Sequence, residues 1–201
     1  MSSGLNSASR QLSRMMRGGR SFSGKERNCC YLSLQMVPAA AGRFANISAV
    51  SGLDFPDDGR AVALVDWDHD GDLDMWISNR NAPRLRLMRN EIPAENSFVA
   101  LRLEGNGGGT NRDAIGARVE VVTDGGAEAK QIQTLRAGEG FLTQSSKWVY
   151  FGLGEAKEIQ SVTVRWPGGE TEEFTGVTAG KRYHLKQGEG VAEADATRPR
   201  Q

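Results

Sequence analysis

The 201-residue sequence carries 25 Lys and Arg against 25 Asp and Glu, and glycine contributes another 25 residues. The resulting formal net charge of zero argues against a general nucleic-acid binder, which would carry a basic excess. No apolar run reaches the roughly 18 residues of a membrane-spanning helix. The charge is unevenly placed, since residues 1–43 carry +6, residues 44–96 carry −5 and residues 97–201 carry −1.

The N-terminal part of the chain, residues 1–29, is rich in Ser, Gly and Arg and contains few apolar residues. We therefore predict a disordered basic segment there, without a helical face or interleaved aromatic residues that would suit an acidic partner. The apolar stretch that follows is interrupted by Ser33, Gln35 and Pro38, so it is not a convincing signal peptide. The adjacent Cys29 and Cys30 provide neither a disulfide framework nor the spaced pairs of a zinc site.

From Tyr31 onward, short runs that favour strands alternate with turns rich in glycine, which predicts an all-β fold. Val99, Leu101 and Leu103, for example, fall on one face of a strand, with Arg102 and Glu104 on the other face. The predicted strands are Tyr31–Gln35, Ala61–Val65, Leu73–Ser78, Leu85–Arg89, Phe98–Leu103, Ala117–Thr123, Lys130–Leu135, Trp148–Phe151, Ser161–Trp166, Glu172–Phe174 and Arg182–Lys186. We expect one domain over residues 30–92, a second over residues 97–187, and a disordered tail over residues 188–201.

An acidic loop with the spacing D-x-D-x-D-G-x-x-D carries the clearest chemical signal, and its five acidic residues are Asp66, Asp68, Asp70, Asp72 and Asp74. Calcium takes six to eight oxygen ligands, so we expect Asp66, Asp68, Asp70 and Asp74 to coordinate Ca²⁺ by side chain and Asp72 by its carbonyl. Without a cation the carboxylates would repel one another and raise their own pKa values.

Two features exclude an EF-hand at this loop, because position 12 is Ile77 rather than Glu and the flanking segments are predicted strands. The loop is therefore predicted to be a β-hairpin calcium loop. Two alternatives stay open, a solvated acidic turn that binds no ion and a calcium ion that only stabilises the hairpin.

The segment V-A-L-V-D-W-D-H-D-G-D-L-D-M-W-I-S-N within Gly59–Asn90 resembles an FG-GAP/VCBS repeat, the calcium-binding blade of integrin-type β-propellers. Downstream, N-R-D-A-I-G-A-R-V-E-V, R-A-G-E-G-F-L-T-Q-S-S, F-G-L-G and V-R-W-P-G-G together resemble the ASPIC/UnbV domain of the cartilage acidic protein family. The resemblance implies a single propeller-blade-like β-hairpin unit followed by a β-sandwich-like ASPIC/UnbV module. Because propellers need about four to eight blades, one repeat must pack on the ASPIC/UnbV-like part, pack with further blades or other chains, or be a fragment of a longer protein.

The expected function is a non-catalytic, calcium-stabilised binding or adhesion module with a protein or carbohydrate ligand, and the resemblance suggests an extracytoplasmic location. The chain lacks G-x-S-x-G, and its two histidines, His69 and His184, are predicted to face solvent rather than to catalyse a reaction. The alternative is part of an enzyme or an accessory protein in natural-product biosynthesis. That alternative also follows from the resemblance.

A second candidate site lies in the loop Arg136–Ser146, where Arg136, Glu139 and Gln144 could bind an anion or a sugar. The alternative interpretation is structural. Residues 143–146 would then satisfy backbone groups of a turn, while Phe141 and Leu142 would anchor the loop in the core. The aromatic residues Trp148, Tyr150 and Trp166 could form a sugar platform if exposed, but alternating strands favour core positions for them.

Overall fold

The computed structural model describes residues 3–18, 25–35, 37–92, 96–124 and 130–196. The described chain is mostly β-structure, as the sequence predicts, with one α-helix, α1, at Ser3–Arg17 and a 3-10 helix at Pro38–Ala40. The strands are β1 Tyr31–Ser33, β2 Phe44–Asn46, β3 Gly59–Val65, β4 Asp74–Asn79, β5 Leu85–Met88, β6 Ser97–Glu104, β7 Arg118–Thr123, β8 Lys130–Thr134, β9 Trp148–Gly154, β10 Ile159–Arg165, β11 Thr171–Phe174, β12 Lys181–Lys186 and β13 Glu193–Ala194. None of these helical segments has the length and apolar character to cross a membrane.

The chain divides into two compact units, one formed by residues 1–61 and 77–86 and the other by residues 62–76 and 87–201. In the first unit β1 and β2 pair antiparallel. The Arg86 guanidinium lies 3.9 Å from the centroid of the Phe55 ring and contacts the Asp57 carboxylate. A three-stranded sheet has the order β3-β4-β5.

The second unit is built on two four-stranded sheets, in the orders β11-β10-β7-β8 and β13-β12-β6-β9. Strand β12 runs parallel to β6, whereas β9 is antiparallel to β6. The hydrophobic core draws on both sheets, with Val99 and Leu101 from one sheet and Val119 and Val164 from the other completely buried. The alternation read from the sequence therefore places the apolar faces of two sheets against each other, as in a β-sandwich.

Trp166 lies inside this core rather than on the surface, since only 2% of it is exposed. Its ring packs edge-on against Phe174, and its indole N–H donates to Glu172 at 3.0 Å. Trp166 is therefore a core residue, which follows the structural interpretation of the aromatic residues rather than the sugar-platform one.

Both chain ends contain regular structure where the composition predicts disorder. Helix α1 occupies part of the basic segment, because residues 10–17 consist largely of strong helix formers such as Gln, Leu, Met and Arg. At the other end β13 pairs with β12, with Ala194 opposite Tyr183. Backbone pairing stabilises that edge strand, and such pairing cannot be read from the amino-acid composition. Residues 1–2, 19–24 and 197–201 of the predicted disordered ends lie outside the described residues.

Candidate metal centre

The acidic loop connects two neighbouring antiparallel strands, so its two ends are brought side by side. Asp66 directly follows the end of β3, and Asp74 is the first residue of β4. The whole segment of residues 62–76 belongs to the same unit as the two four-stranded sheets. The loop geometry and its contacts with those sheets can therefore be described within one unit.

Three carboxylates of the loop converge. Asp66, Asp68 and Asp74 each offer an oxygen atom, and these atoms lie within 4.8 Å of one another. Only 3%, 7% and 0% of the three residues, respectively, is exposed. Asp66 Oδ1 and Asp68 Oδ1 are buried and accept no hydrogen bond from any described group. A buried anionic oxygen without a partner is costly, and a hard divalent cation would provide the missing partner.

Asp74 fixes the shape of the loop through two backbone hydrogen bonds. Its Oδ2 accepts from the Trp67 amide at 2.8 Å, and its Oδ1 accepts from the Asn90 amide at 2.8 Å. Each carboxylate oxygen has further acceptor capacity, so these bonds orient the group without preventing it from binding a cation. Asp74 is therefore both the ninth residue of the motif and the residue that fixes the start of the loop.

Gly71 is required at its position by two independent constraints. Its φ angle is +102°, a region that residues with a side chain rarely adopt. A Cβ atom built on Gly71 would lie 2.1 Å from Cε1 of Phe98. The turn of the acidic loop therefore packs directly against the Phe98 ring of β6, and that contact is possible because position 71 has no side chain.

Two of the five predicted aspartates lie outside the converging group of three. The Asp70 side chain is exposed, and its Oδ1 accepts a hydrogen bond from the Asp72 amide at 3.1 Å. Asp72 is half-buried, and its Oδ1 has no hydrogen-bond partner. Burial first, and then the negative charges of the other four loop aspartates, raise the pKa of Asp72 to about 6. The expected mutual repulsion is thus strongest at Asp72.

The neighbouring sheet contributes two side chains that contact Asp66. The Tyr150 hydroxyl donates to Asp66 Oδ2 at 3.0 Å, and a guanidinium nitrogen of Arg182 lies 3.5 Å from the same oxygen. Burial raises the pKa of Asp66 despite the opposing effects of the Tyr150 hydroxyl, the Arg182 guanidinium and the Gly71 backbone amide. Because both partners act on Oδ2, Asp66 Oδ1 is left without a hydrogen-bond partner.

Arg182 occupies the centre of a larger polar cluster. Its guanidinium carbon lies 4.2 Å from the centroid of the Trp148 ring, and its Nε lies 3.2 Å from Asp195 Oδ2. It also contacts Nδ1 of His69, whose φ angle is +63°. His69 was expected to face solvent, but it is half-buried against this arginine. His184 likewise packs edge-on against Trp148, with ring centroids 5.1 Å apart.

The second predicted site is brought together only as a small cavity. Arg136, Glu139 and Gln144 line it with Trp148, and its volume is about 30 Å³, which has room for a few water molecules at most. The interpretation that apolar residues anchor this loop in the core is wrong, because Phe141 is 70% exposed and Leu142 is 86% exposed.

The same loop binds the outer edge of β3 instead of entering the core. The Leu64 amide donates to Ser145 Oγ at 3.1 Å, and the Ser146 amide donates to the Leu64 carbonyl at 2.9 Å. The expectation that residues 143–146 satisfy backbone groups of their own turn is therefore wrong for Ser145. The backbone group that Ser145 satisfies belongs to a strand distant in sequence rather than to its own turn.

Sequence reasoning missed the residues that position the carboxylate cluster from a distance, namely Tyr150, Arg182, Phe98 and Asn90. Tyr150 and Asp66 are 84 residues apart in the chain, so no local spacing connects them. One signal was present in the sequence. Tyr150 and Arg182 carry polar groups on segments predicted as strands, and such groups require partners if the strands are half-buried.

The fold and site together define a class of protein, a two-sheet β-sandwich that holds an acidic hairpin loop with a possible cation site. The family described as ASPIC and UnbV matches residues 107–192, which confirms that part of the resemblance. The FG-GAP/VCBS assignment of the hairpin stays a prediction.

A similar solved structure is a crystal structure of a Bacteroides uniformis protein provisionally described as a cell adhesion protein. It is 10% identical with a TM-score of 0.30, and the similarity covers 69% of this chain and 90% of that one. No curated protein matches this chain.

Proposed function

We propose that the protein is a non-catalytic, calcium-stabilised binding module of the adhesion type, with one Ca²⁺ site in the acidic loop. The observation that carries this proposal is the pair of buried oxygens without a hydrogen bond, Asp66 Oδ1 and Asp68 Oδ1, beside Asp74. The match of residues 107–192 to the ASPIC and UnbV family supports a module of this kind. The β3-β4-β5 sheet would then be a single FG-GAP/VCBS-like unit.

We expect the five aspartates to contribute unequally to the proposed site. Asp66, Asp68 and Asp74 would hold Ca²⁺ through their side chains, since their oxygens already converge. Asp72 would add its backbone carbonyl, as the spacing of the motif implies. The Asp70 side chain is exposed and bonded to the Asp72 amide, so we expect it to contribute less than Asp68. Calcium would supply positive charge at the point where the carboxylates repel one another.

Titration calorimetry with calcium chloride tests the assignment on the full chain and three variants. We expect Asp68→Asn to weaken calcium binding by more than about tenfold, since a negatively charged ligand at the cluster is lost. Asp70→Asn should weaken it less. Glu155→Gln removes one exposed carboxylate outside the loop and serves as the matched control, with unchanged affinity. A parent chain that takes up no calcium, or an Asp68→Asn variant with the parent affinity, would contradict the proposal.

The expected affinity also tests the proposed compartment. Extracellular calcium modules work with dissociation constants of about 10⁻⁴ to 10⁻³ M, whereas intracellular sensors bind at about 10⁻⁷ to 10⁻⁵ M. An extracytoplasmic adhesion module should fall in the weaker range. A submicromolar dissociation constant would instead favour an intracellular calcium sensor and count against this part of the proposal.

A further inference from the structure

The N-terminal helix α1 has a segregated arrangement of charged and apolar side chains that the sequence pattern alone did not predict. At 100° per residue, Arg10, Arg14 and Arg17 fall within an arc of about 60°. Leu12, Met15 and Met16 fall within a separate arc of about 100°, centred almost opposite the arginines. The segment Ser3–Arg17 contains no acidic residue, so its charge is uniformly positive.

The apolar arc of α1 is incompletely buried. Leu12 is 48% exposed and Met16 is 52% exposed, while Met15 is half-buried. Two large apolar residues of one arc are thus open to solvent, beside a cationic face that carries every charge of the helix. The 15-residue helix is about 22 Å long, which is too short to span a bilayer of roughly 30 Å but long enough to lie along its surface.

We propose that α1 is a surface-binding helix whose partner is an anionic lipid bilayer. A membrane interface meets both faces at once, since Leu12, Met15 and Met16 enter the acyl boundary while the arginines reach the phosphate and carboxylate headgroups. Nucleic acid would satisfy the arginines and leave the apolar arc in water. An apolar protein groove would bury that arc and leave the opposite arginine face without an anionic partner.

Flotation of the full-length chain with lipid vesicles tests this inference, independently of calcium. We expect binding to phosphatidylcholine vesicles that contain roughly 30% phosphatidylserine, and little binding to pure phosphatidylcholine. Replacing Arg10, Arg14 and Arg17 together by Gln should weaken partitioning by about 100-fold, because each juxtamembrane arginine contributes about fivefold. The matching triple replacement by Lys keeps the charge and should keep the binding.

Two controls separate an amphipathic helix from simple charge attraction. Exchanging two residues of α1, as Arg10→Leu with Leu12→Arg, preserves composition and net charge but places a cation in the apolar arc. We expect this exchange to lower partitioning by about tenfold or more, because the apolar arc no longer enters the acyl boundary. Replacing three exposed basic residues outside the helix by Gln, namely Arg118, Lys157 and Arg165, should leave binding unchanged.

Each outcome of these experiments either supports or overturns the proposed membrane-surface role. Binding that depends on phosphatidylserine, on the three arginines and on the order of Arg10 and Leu12 supports the membrane-surface role. A parent chain that ignores anionic vesicles, or an exchange variant that binds them as well as the parent does, overturns it. Tighter binding to random-sequence duplex DNA, unaffected by the exchange, would overturn it in favour of nucleic acid.

Discussion

Neutralising Asp72 should stabilise the calcium-free protein. Its pKa rises from the ordinary 3.8 to about 6, chiefly through burial and then through Asp70, Asp74, Asp68 and Asp66. That difference corresponds to about 3 kcal/mol of unfavourable free energy when the carboxylate is ionised. Because part of the side chain is open to solvent, we halve the figure for screening and expect Asp72→Asn to add about 1.5 kcal/mol at about pH 7.5.

The pH dependence follows from the sign of the shift. An acid whose pKa is higher in the folded state destabilises the fold increasingly as pH rises from the unfolded pKa of 3.8 to the folded value of about 6, and constantly above it. The advantage of Asp72→Asn should therefore fall to about half at about pH 5.0. Asp54, Asp113 and Glu193 have lowered pKa values, so the stability they contribute is lost only at more acidic pH, as each is protonated in turn.

Urea denaturation of parent and Asp72→Asn in a calcium chelator, at both pH values, measures this difference, with Glu155→Gln as the charge-matched control. Excess calcium should reduce the advantage of the variant, because a bound cation offsets the repulsion among the carboxylates. If the variant is no more stable than the parent at neutral pH in chelator, the carboxylates do not repel one another as described, and the physical reason for expecting a cation is lost.

Two further substitutions, each with its own control variant, test the contacts that position the loop. Gly71→Ala should lower the free energy of unfolding by about 3 kcal/mol, since the new methyl group combines φ strain with overlap on Phe98. Gly107→Ala, with φ +77° but open space around it, should cost about 1 kcal/mol, and equal losses at both glycines would refute the role of the Phe98 contact. Tyr150→Phe should cost about 1 to 2 kcal/mol in chelator by removing the hydrogen bond to Asp66, whereas Tyr31→Phe, at an exposed position, should be neutral. A neutral Tyr150→Phe would show that this bond does not stabilise the loop.

The parts of the fold that the sequence predicts are those with a local cause. Val99, Leu101 and Leu103 share one strand face, with Arg102 and Glu104 on the other, and each of the eleven predicted strands overlaps a strand of the structure. Strand β2, Phe44–Asn46, was missed because three residues are too few to show an alternating pattern. Strand β13 was missed because its stability comes from pairing with β12, and this pairing cannot be read from the amino-acid composition.

In the candidate site, too, the features with a local cause were predictable and those that depend on distant segments were not. The spacing of the acidic motif predicts that Asp66, Asp68 and Asp74 approach one another, and their oxygens do so. The orientation of Asp70 toward the Asp72 amide was not predictable, because an Asx turn and a metal ligand use the same residue type. The Arg182 contact with Asp66 joins segments distant in sequence, so it depends on the register of β12 beside β6 and on no local signal.

The contacts of Asp66 with β9 and β12 bear on how far calcium binding would stabilise the protein. If the ion only stabilised the hairpin, it would protect amide hydrogens of β3 and β4 from exchange and leave the sandwich unchanged. Asp66, however, is bonded to Tyr150 and lies beside Arg182, and these residues belong to the sheet that contains the buried Val99 and Leu101. Loss of the loop geometry would take the Asp66 carboxylate away from both residues.

We therefore expect calcium to stabilise the sandwich as well as the loop. At a calcium concentration about 100 times the dissociation constant, the slowest-exchanging amides of β6 and β12 should gain up to about 2.7 kcal/mol of protection. Native-state hydrogen exchange with and without calcium measures this gain, and Tyr150→Phe should reduce it in β6 and β12 more than in β3. Protection confined to β3 and β4 in the parent would show instead that calcium acts on the hairpin alone and that Tyr150 and Arg182 do not couple the site to the sandwich.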